Sequence, residues 1–445
     1  MKGWTGTRIA RVLGTASAPD TDFSSIATDT RQLTDGALFV ALVGERFDGH
    51  DFLESARESG ATGAVVRRGT TPISGLHCFE VDDTLVALGH LARDHRDQFD
   101  GPVVAVTGTN GKTSVKEMLI RALSTRWQVH ATRQNRNNLV GVPLTLLEAT
   151  PSCQALVVEA GASEPGELAR LREIIEPSIT VITNVAEGHL QGFGSLQGVL
   201  AEKVSLADGV PVAVVGTEPQ ALAQSASEVS GRVIVAGVSE GAAVRPDQCG
   251  VDSRGYGWLS FGGSKVVLPL LGRHQLDNAM LVLAVAQELG LDIPVVSSAL
   301  RGVSLPAGRC ELVTRGDLVI LQDTYNANPG SLAALLATAE AMRNDRPLVI
   351  VLGTMLELGS DSSRLHARMA DAVMAAKPAM VAVLGEFVPA FEPYKDILGD
   401  RLLVAEDADG LGRDLAGWLN GNELVLIKGS RGVRMERAVP HLIPD

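Results

Sequence analysis

The chain has 445 residues, of which 45% are hydrophobic, and it carries a net charge of −13 at pH 7. This length exceeds one ordinary hydrophobic core, so we expect two or three domains. The acidic balance argues against nucleic acid as a partner, although a nucleotide held in one local pocket remains compatible with it.

Cysteine usage and hydropathy predict the compartment. Four cysteines are scattered without paired spacing, so the sequence predicts neither a zinc site nor a disulfide framework and fits a reducing environment. The N-terminal residues lack the apolar core of a signal peptide, and no apolar run is long enough to span a membrane. We therefore expect a soluble cytoplasmic protein.

Residues 1–84 predict a small α/β domain. An apolar strand at 37–43 leads into a polar, glycine-containing loop at 44–52, and a helix and a second strand follow at 52–59 and 63–66. Loops at the carboxyl ends of such strands commonly carry ligands. The Arg31 guanidinium, beside Thr30, suits a phosphate or a carboxylate, and a surface ion pair explains it equally well. Residues 85–100 predict a linking helix.

Residues 103–120 predict a strand, a glycine loop and a helix in direct succession. The loop is Gly108, Thr109, Asn110, Gly111, Lys112, Thr113 and Ser114. Glycines let backbone N–H groups approach phosphate oxygens, and the helix N-terminus adds a partial positive charge. In such a phosphate loop (P-loop), Lys112 reaches the terminal phosphates and Thr113 binds Mg²⁺. In the full pattern a further glycine precedes Gly111 with four residues between them, and here Val106 stands at that position, with Thr107 beside it. Tight helix packing is the alternative explanation for the glycines.

Polar residues follow the next strands of this central domain, which we place at residues 85–312. The strand at 154–158 ends at Glu159, where Mg²⁺ needs a carboxylate, although helix capping or an ion pair also explains a glutamate there. The strand at 179–184 leads to His189. We interpret this residue as a metal or phosphate contact, and a structural histidine is the alternative. Asn137 and Asn138 lie in a polar turn and either bind substrate or satisfy turn backbone.

Two residues of the later central domain stay ambiguous. Lys203, taken alone, resembles an ordinary solvated lysine. Asn278 opens an apolar helix at 279–289 and either contacts an adenine edge or caps that helix.

From residue 313 to 445, strands alternate with helices, which predicts a parallel, doubly wound Rossmann-like sheet. A glycine-rich dinucleotide fingerprint is missing there, so we do not expect this domain to bind NAD. Its strand ends offer Asp323, Glu357, Lys428 and Arg431 for an amine or carboxylate substrate. The predicted fold class is thus α/β with three domains.

These stretches resemble the Mur ligases of bacterial cell-wall synthesis along the whole chain. The resemblance rests on residues 44–52, 107–118, 141–147, 184–196, 325–329, 355–359 and 428–436. The phosphate loop alone would also fit a folylpolyglutamate synthase. The segments 325–329 and 355–359 point to the member that joins D-alanyl-D-alanine to UDP-N-acetylmuramoyl-tripeptide, a step of peptidoglycan precursor synthesis.

The resemblance implies an ATP-dependent ligase in which an acyl phosphate of the tripeptide is attacked by the dipeptide amine. It implies Mg²⁺, two ions in all, with Thr113, Glu159, His189 and Lys203 as ligands, and Lys203 falls where the family places a lysine that can be carbamylated. It also implies small-molecule substrates and a monomer. The further nucleotide-binding residues would be Asn278, Arg309 and Asp323, and those for the UDP would be Thr30, Arg31, Phe47, Asp48 and His50. The remaining parts of the substrates would contact Asn137, Asn138, Tyr325, Asn326, Asn328, Lys428 and Arg431.

The chain departs from the family pattern at Thr354, at Val204 and Ser205, and at Leu139 and Val140. None of these positions coincides with Lys112, Thr113 or the other expected metal ligands, so the departures concern substrate fine-tuning. Three rival interpretations remain open: a sister ligase that adds a single amino acid, a non-catalytic nucleotide-binding protein, and a P-loop kinase or GTPase.

Overall fold

A computed structural model describes residues 3–16 and 19–443. Contacts divide the chain into two compact units. Unit 1 comprises Met1–Ala105, Trp127–Ala162 and Gly166–Ser178, and unit 2 comprises Val106–Arg126, Ser163–Pro165 and Ile179–Asp445. None of the helices in the described part of the chain is both long enough and apolar enough to cross a membrane.

The N-terminal part of unit 1 is a parallel sheet covered by helices. Its elements are β1 (Trp4–Thr5), α1 (Gly6–Leu13), β2 (Asp22–Phe23), β3 (Ile26–Ala27), β4 (Ala37–Val40), α2 (Leu53–Glu58), β5 (Ala61–Arg67), β6 (His77–Val81) and α3 (Thr84–Arg96). The sheet runs in the order β3-β4-β5-β6 with parallel neighbours. Every residue of β4 is buried because its apolar run faces core on both sides of the sheet.

Helix α3 belongs to the N-terminal core and does more than link two domains. Its Leu88 and Leu91 pack in one apolar cluster with Trp4, Phe23 and Phe79. Asp83 caps the helix by accepting hydrogen bonds from the amides of residues 85 and 86. The spacing of the apolar residues along α3 therefore reflects burial against the sheet.

The central elements begin with β7 (Val103–Thr107), in which the boundary between the two units falls. They continue with α4 (Lys112–Leu123), β8 (Val129–Ala131), α5 (Gly141–Leu147), β9 (Ala155–Glu159), α6 (Glu167–Ile175), β10 (Ile179–Ile182), α7 (Leu190–Phe193), α8 (Leu196–Ser205), β11 (Val212–Val215), α9 (Ala221–Val229) and β12 (Arg232–Val235). The strand order is β12-β11-β10-β7-β9-β8. The switch in strand order beside β7 is the position where open α/β sheets bind ligands.

An antiparallel meander follows that the sequence pattern did not predict. It consists of β13 (Gln248–Val251), β14 (Tyr256–Phe261) and β15 (Ser264–Leu271), and α10 (His274–Glu288) and α11 (Ile293–Ala299) come after it. Tight turns join its strands at glycines with positive φ, among them Gly262 and Gly263. Helix α10 contacts α4 and is buried on nearly every face.

The C-terminal part of unit 2 is a mixed sheet between helices. Its elements are β16 (Glu311–Arg315), β17 (Leu318–Asp323), α12 (Pro329–Arg343), β18 (Leu348–Leu352), α13 (Ser362–Ala375), β19 (Met380–Val383), α14 (Phe387–Phe391), α15 (Lys395–Leu398), β20 (Leu402–Val404), α16 (Ala408–Ala416), β21 (Leu424–Lys428) and α17 (Val439–Leu442). The order is β16-β17-β21-β18-β19-β20.

The α/β fold class is confirmed, and the doubly wound prediction for residues 313–445 holds for β17 to β21, whose neighbours are parallel. It is wrong for β16, which pairs antiparallel with β17. Only the two residues Gly316 and Asp317 join these strands, and such a short connection can form a hairpin but not a crossover.

Candidate functional site

The phosphate loop lies in unit 2 and has the backbone conformation of an anion cradle. Gly108 has φ +140° and Gly111 has φ +82°, values that residues with a β-carbon rarely adopt. A β-carbon on Gly108 would lie 1.9 Å from Oγ1 of Thr183, and one on Gly111 would lie 2.5 Å from Oδ1 of Asn278. Both glycines are therefore required by conformation and by close packing.

Residues just after β10 hold this loop in place. The Thr109 amide donates to the Asn184 carbonyl (2.9 Å), and the Asn110 amide donates to Oδ1 of Asn184 (3.1 Å). The Thr183 hydroxyl donates to the Asn110 carbonyl, and Oγ1 of Thr109 accepts from the Ala186 amide (3.0 Å). The polar end of β10 thus serves as the support of the phosphate loop.

Lys112 and Thr113 form the first turn of α4. The Lys112 ammonium donates to the carbonyls of Gly108 (2.7 Å) and Thr109 (3.2 Å), so it lies against the loop itself. Thr113 is 4% exposed and Ser114 is 8% exposed. A cation on this loop, combined with the partial positive charge at the N-terminus of α4, favours a bound anion.

His189 meets a residue from the C-terminal part of unit 2. Its Nδ1 lies 2.6 Å from Oε2 of Glu357. The His189 imidazole, together with the positive charge of Lys112, lowers the pKa of the Glu357 carboxyl against the opposing effect of burial. Close to this contact, an ion pair between Arg368 on α13 and Glu187 joins the same part of unit 2 to the segment before His189.

The segment that carries Glu357 is held by a buried histidine. Nε2 of His366 accepts from the Met355 amide (3.0 Å), and Nδ1 donates to the Ser362 carbonyl (2.8 Å). His366 is fully buried, and burial lowers the pKa of its imidazole below the ordinary value of 6.5, although the Ser362 hydrogen bond opposes the shift. The bond that Nε2 accepts requires the neutral ring with its proton on Nδ1.

Lys203 lies on α8 and is 1% exposed, so its interpretation as a solvated lysine is wrong. Its ammonium lies 5.4 Å from the centroid of the Phe193 ring. A buried lysine near α7, the helix that follows His189, is more typical of a functional site than of a solvated surface.

Helix α10 begins at His274, so Asn278 lies in its second turn. Of the two interpretations of Asn278, the helix cap is therefore wrong. Its Nδ2 donates to Oε1 of Gln275 (3.0 Å), and its Oδ1 faces Gly111. The residue contacts the back of the phosphate loop.

Asn328 links the phosphate loop to α12. Its Nδ2 donates to Oδ1 of Asn110 (2.7 Å), and Nδ2 of Asn110 donates back to Oδ1 of Asn328 (3.3 Å). The same Oδ1 accepts from the Ser331 amide (2.8 Å), and the Ser331 hydroxyl accepts from the Asn328 amide (3.0 Å). This reciprocal capping box begins α12 and fixes the asparagine amide group.

The remaining C-terminal candidates form a cluster at the ends of β17 and β21. The Lys428 ammonium, 1% exposed, pairs with the Asp323 carboxylate and donates to the Asn326 carbonyl (2.9 Å). The Arg309 guanidinium stacks 3.8 Å from the centroid of the Tyr325 ring, and the Arg431 guanidinium lies 5.9 Å from the same centroid. The predicted residues of this region are thus brought together.

In unit 1, Glu159 is the last residue of β9 and is 2% exposed. Its Oε1 accepts from Nδ2 of Asn137 (2.9 Å), and its amide donates to Oγ1 of Thr132 (2.9 Å). Asn138 instead accepts from the amides of Val140 and Gly141, so it satisfies turn backbone as the alternative interpretation had it.

The N-terminal candidates of unit 1 divide into two places. The Arg31 guanidinium, 86% exposed, pairs with Asp29, and Thr30 starts the short 3₁₀ turn that holds both. His50 bonds Asp48 through Nδ1 and accepts from the Arg67 amide through Nε2 (2.9 Å). The hydrogen bond from the His50 amide, followed by that from its ring, lowers the pKa of the Asp48 carboxyl.

Phe47 projects from the same loop, and 71% of its surface is exposed. An exposed aromatic ring beside a polar, hydrogen-bonded turn suits stacking against a planar group.

Comparison with known proteins gives the family of the chain. Three family models match it: the Mur ligase middle domain over residues 106–286, the Mur ligase glutamate ligase domain over 308–431, and the Mur ligase catalytic domain over 22–96. The UDP-N-acetylmuramoyl-tripeptide--D-alanyl-D-alanine ligase of Bacillus subtilis (strain 168) is 32% identical over 97% of this chain and 96% of its own length. The chain belongs to the Mur ligase family.

Solved structures of Mur ligases share the whole fold. A crystal structure of MurF from Acinetobacter baumannii covers 100% of both chains with a TM-score of 0.91 and 28% sequence identity. MurF ligase from Thermotoga maritima, solved in complex with ADP, covers 94% of this chain and 96% of its own, with a TM-score of 0.82 and 28% identity.

Sequence reasoning missed several residues that support the site of this Mur ligase: Thr132, Thr183, Glu187, Arg368 and His366. Thr132 and Thr183 bond to Glu159 and to the phosphate loop, whereas His366, Glu187 and Arg368 hold the segments around Glu357 and His189. Thr183 carries a weak signal, because it lies at the end of the predicted strand at 179–184.

Proposed function

We propose that this chain joins D-alanyl-D-alanine to UDP-N-acetylmuramoyl-tripeptide with ATP, giving UDP-N-acetylmuramoyl-pentapeptide, ADP and phosphate. The observation that carries the proposal is the Lys112 ammonium, which lies on the phosphate-loop carbonyls at the N-terminus of α4. The membership in the Mur ligase family supports the reaction class, and the name of the Bacillus subtilis relative supports the substrates.

Charge is the main physical obstacle in the first step, because the tripeptide carboxylate must approach the γ-phosphate, which is also an anion. Lys112 and the N-terminus of α4 neutralise the phosphates where charge develops. ATP binding is supported by the ADP complex of the Thermotoga maritima structure. Asn278, Arg309 and Asp323 are the proposed further nucleotide contacts, and the half-buried, stacked Arg309–Tyr325 pair suits the nucleotide.

Magnesium fits the donors that the chain offers. In the described ranges, 3–16 and 19–443, no group of three His, Cys, Asp or Glu side chains forms a ready-made metal site. Mg²⁺ usually takes one or two protein carboxylates together with waters and substrate phosphates, so such a group is not required. Thr113, Glu159 and His189 are the proposed protein ligands, and bound Mg²⁺ would neutralise phosphate charge.

Lys203 is the proposed fourth ligand, in carbamylated form. A carbamate replaces the ammonium with oxygen donors, which a cation cannot supply. The burial of Lys203 supports this assignment, because it places the end of the side chain inside unit 2 and away from solvent.

The two other substrates are assigned by chemistry to the ends of the chain. The UDP-linked substrate is proposed to bind at Thr30, Arg31, Phe47, Asp48 and His50, where a guanidinium meets diphosphate charge and an aromatic ring meets a base. The dipeptide carboxylate is proposed to bind at Arg431 and Lys428, beside Tyr325 and Asn326. The domain boundaries that accompany this assignment are 1–84, 85–312 and 313–445.

A coupled assay of ADP release tests the proposal. With ATP, UDP-N-acetylmuramoyl-tripeptide and D-alanyl-D-alanine, we expect turnover that requires all three, and a loss of at least about 100-fold in kcat for Lys112→Ala. Lys112→Arg is the matched control that keeps the positive charge but not its geometry. Turnover with a single amino acid instead of the dipeptide would favour a sister ligase or a folylpolyglutamate-type ligase, and ADP release without either acceptor would contradict the ligase reaction.

A further inference from the structure

His189 and Glu357 share an unusual backbone conformation. Both are non-glycine residues with positive φ, +55° for His189 and +64° for Glu357. A residue with a β-carbon in this region costs on the order of 1 kcal/mol, and such strain persists where the surroundings impose it. The two strained residues face each other, with Nδ1 of His189 2.6 Å from Oε2 of Glu357.

The backbones of the two segments are also bonded to each other. The Gln191 amide donates to the Glu357 carbonyl (3.0 Å). Gly359 has φ +60°, and a β-carbon there would lie 3.1 Å from Cα of Gln191. The position of the Glu357 side chain relative to the His189 ring is therefore fixed by main-chain contacts on either side of it.

The imidazole of His189 is held at two points. Glu357 contacts Nδ1, and the ring packs edge to face with Phe193 at a centroid distance of 6.5 Å. A neutral imidazole that donates from Nδ1 keeps its lone pair on Nε2, which is the arrangement that a carboxylate imposes on histidine ligands. Of the two ring nitrogens, Nε2 is then the one available to a ligand.

We propose that Glu357 is a positioning residue, which holds His189 in the Nδ1–H tautomer and aims Nε2 at the metal-bound nucleotide phosphates. The inference deepens the proposed function and rests on its assignment of His189 as a metal ligand. Residues 355–359 would thus complete a site whose other residues belong to the central part of the chain. Glu357 needs no contact with substrate for this action.

The neighbouring ion pair between Arg368 and Glu187 provides a matched control. Nη1 of Arg368 lies 3.1 Å from Oε1 of Glu187, and the pair joins α13, which follows the 355–359 segment, to the segment that precedes His189. The contacts that position the His189 ring come from Glu357 and Phe193, and neither Arg368 nor Glu187 takes part in them. Arg368→Gln therefore weakens the docking of the two segments and leaves the Glu357–His189 contact in place.

The first experiment needs no metal. Nitrogen-15 NMR of the metal-free full chain reports the tautomer of each imidazole, and His189→Asn assigns the His189 signals. We expect the Nδ1–H tautomer in the unmodified protein and in Arg368→Gln, and a shift toward the Nε2–H tautomer in Glu357→Gln, whose amide can donate to Nδ1. Because the carboxamide oxygen can also accept from Nδ1, Glu357→Ala is measured beside it, and an unchanged tautomer in both variants would overturn the positioning function.

The second experiment measures Mn²⁺ binding by electron paramagnetic resonance in the presence of ADP. We expect His189→Asn to abolish one class of bound Mn²⁺ and Glu357→Gln to weaken it roughly 10- to 100-fold. Glu357→Asp, which keeps a carboxylate, should recover part of the affinity, and Arg368→Gln should bind as the unmodified protein does. In the His189→Asn background, Glu357→Gln should cause no further loss of Mn²⁺ binding or of kcat.

The outcomes separate the two claims. If His189→Asn leaves Mn²⁺ binding unchanged, the metal-ligand assignment of the proposed function is wrong. If His189→Asn weakens Mn²⁺ binding but Glu357→Gln behaves like Arg368→Gln, only the positioning inference is overturned. If Glu357→Gln lowers kcat further in the His189→Asn background, Glu357 acts directly on substrate, and the positioning inference is also overturned.

Discussion

Replacing Asn328 with alanine should loosen both the start of α12 and the phosphate loop. The substitution removes the capping bond from the Ser331 amide and the two amide bonds shared with Asn110. An N-cap substitution costs about 1 kcal/mol, and each of the other hydrogen bonds contributes about 1 kcal/mol net. The total is about 3 kcal/mol, of which roughly one third belongs to the helix and two thirds to the link with the loop.

Two further variants separate the contribution of the helix cap from that of the link to the phosphate loop. Asn328→Asp keeps an oxygen that can cap α12 but loses the donor to Oδ1 of Asn110, so it should loosen mainly the loop. Ser331→Ala removes only the hydroxyl that accepts from the Asn328 amide, so it should loosen mainly the helix start. The pair therefore acts as a set of matched controls for Asn328→Ala.

Hydrogen exchange by mass spectrometry reads the two places separately. Protection reports local opening, and each 1.4 kcal/mol corresponds to tenfold in rate. In Asn328→Ala we expect exchange faster by about fivefold in the first turn of α12 and by 10- to 30-fold in residues 108–114. Asn328→Asp should change the loop alone and Ser331→Ala the helix alone. Unchanged exchange of residues 108–114 in both Asn328 variants would refute the coupling between the loop and the cap.

Three other outcomes follow from single sites. Gly111→Ala should weaken ADP binding at least about tenfold by calorimetry, because its β-carbon would lie 2.5 Å from Oδ1 of Asn278; unchanged affinity would contradict the cradle geometry. Because burial lowers the pKa of His366 in the folded state, the unfolded chain binds a proton first as pH falls below about 6.5. The melting temperature should therefore fall from pH 7 toward pH 5, and less steeply in His366→Asn; equal slopes would contradict this. Lys428→Met should destabilise the fold by about 3–5 kcal/mol, because it leaves the Asp323 carboxylate without its buried cation, and adding Asp323→Asn should restore part of the melting temperature.

The fold could be predicted where burial alone decides the pattern. The run of apolar residues at 348–352 is a strand with these bounds because every residue of it faces core. The meander at 248–271 was missed because burial alternates along β14 and β15, so that neither is a fully buried strand. The edge strand β16 was missed because its residues are mostly exposed and carry no apolar run.

The candidate site divides in the same way. The phosphate loop could be predicted because Gly108 and Gly111 are needed for a backbone conformation, and Lys112 and Thr113 follow them at a fixed spacing. The burial of Lys203 could not be predicted, because a lysine on a helix leaves no local sign of whether its face is covered. Asn137 donates to the Glu159 carboxylate, whereas its neighbour Asn138 accepts from the backbone of its own turn. The sequence does not distinguish these two asparagines, because their partners depend on the fold.

The contacts that organise the site join residues far apart in the chain, and this separation is the physical reason why local patterns do not show them. Asn110 and Asn328 are 218 positions apart, yet each amide group satisfies the other. An asparagine that caps a helix can offer one oxygen to that helix and still direct its nitrogen elsewhere, because the cap fixes the orientation of the amide plane. The capping box of α12 therefore fixes the helix start and at the same time aims a donor at the phosphate loop, and one polar side chain couples the C-terminal sheet to nucleotide binding. The same logic applies to Glu357, whose strained backbone is stabilised by contacts with the segment whose histidine it orients.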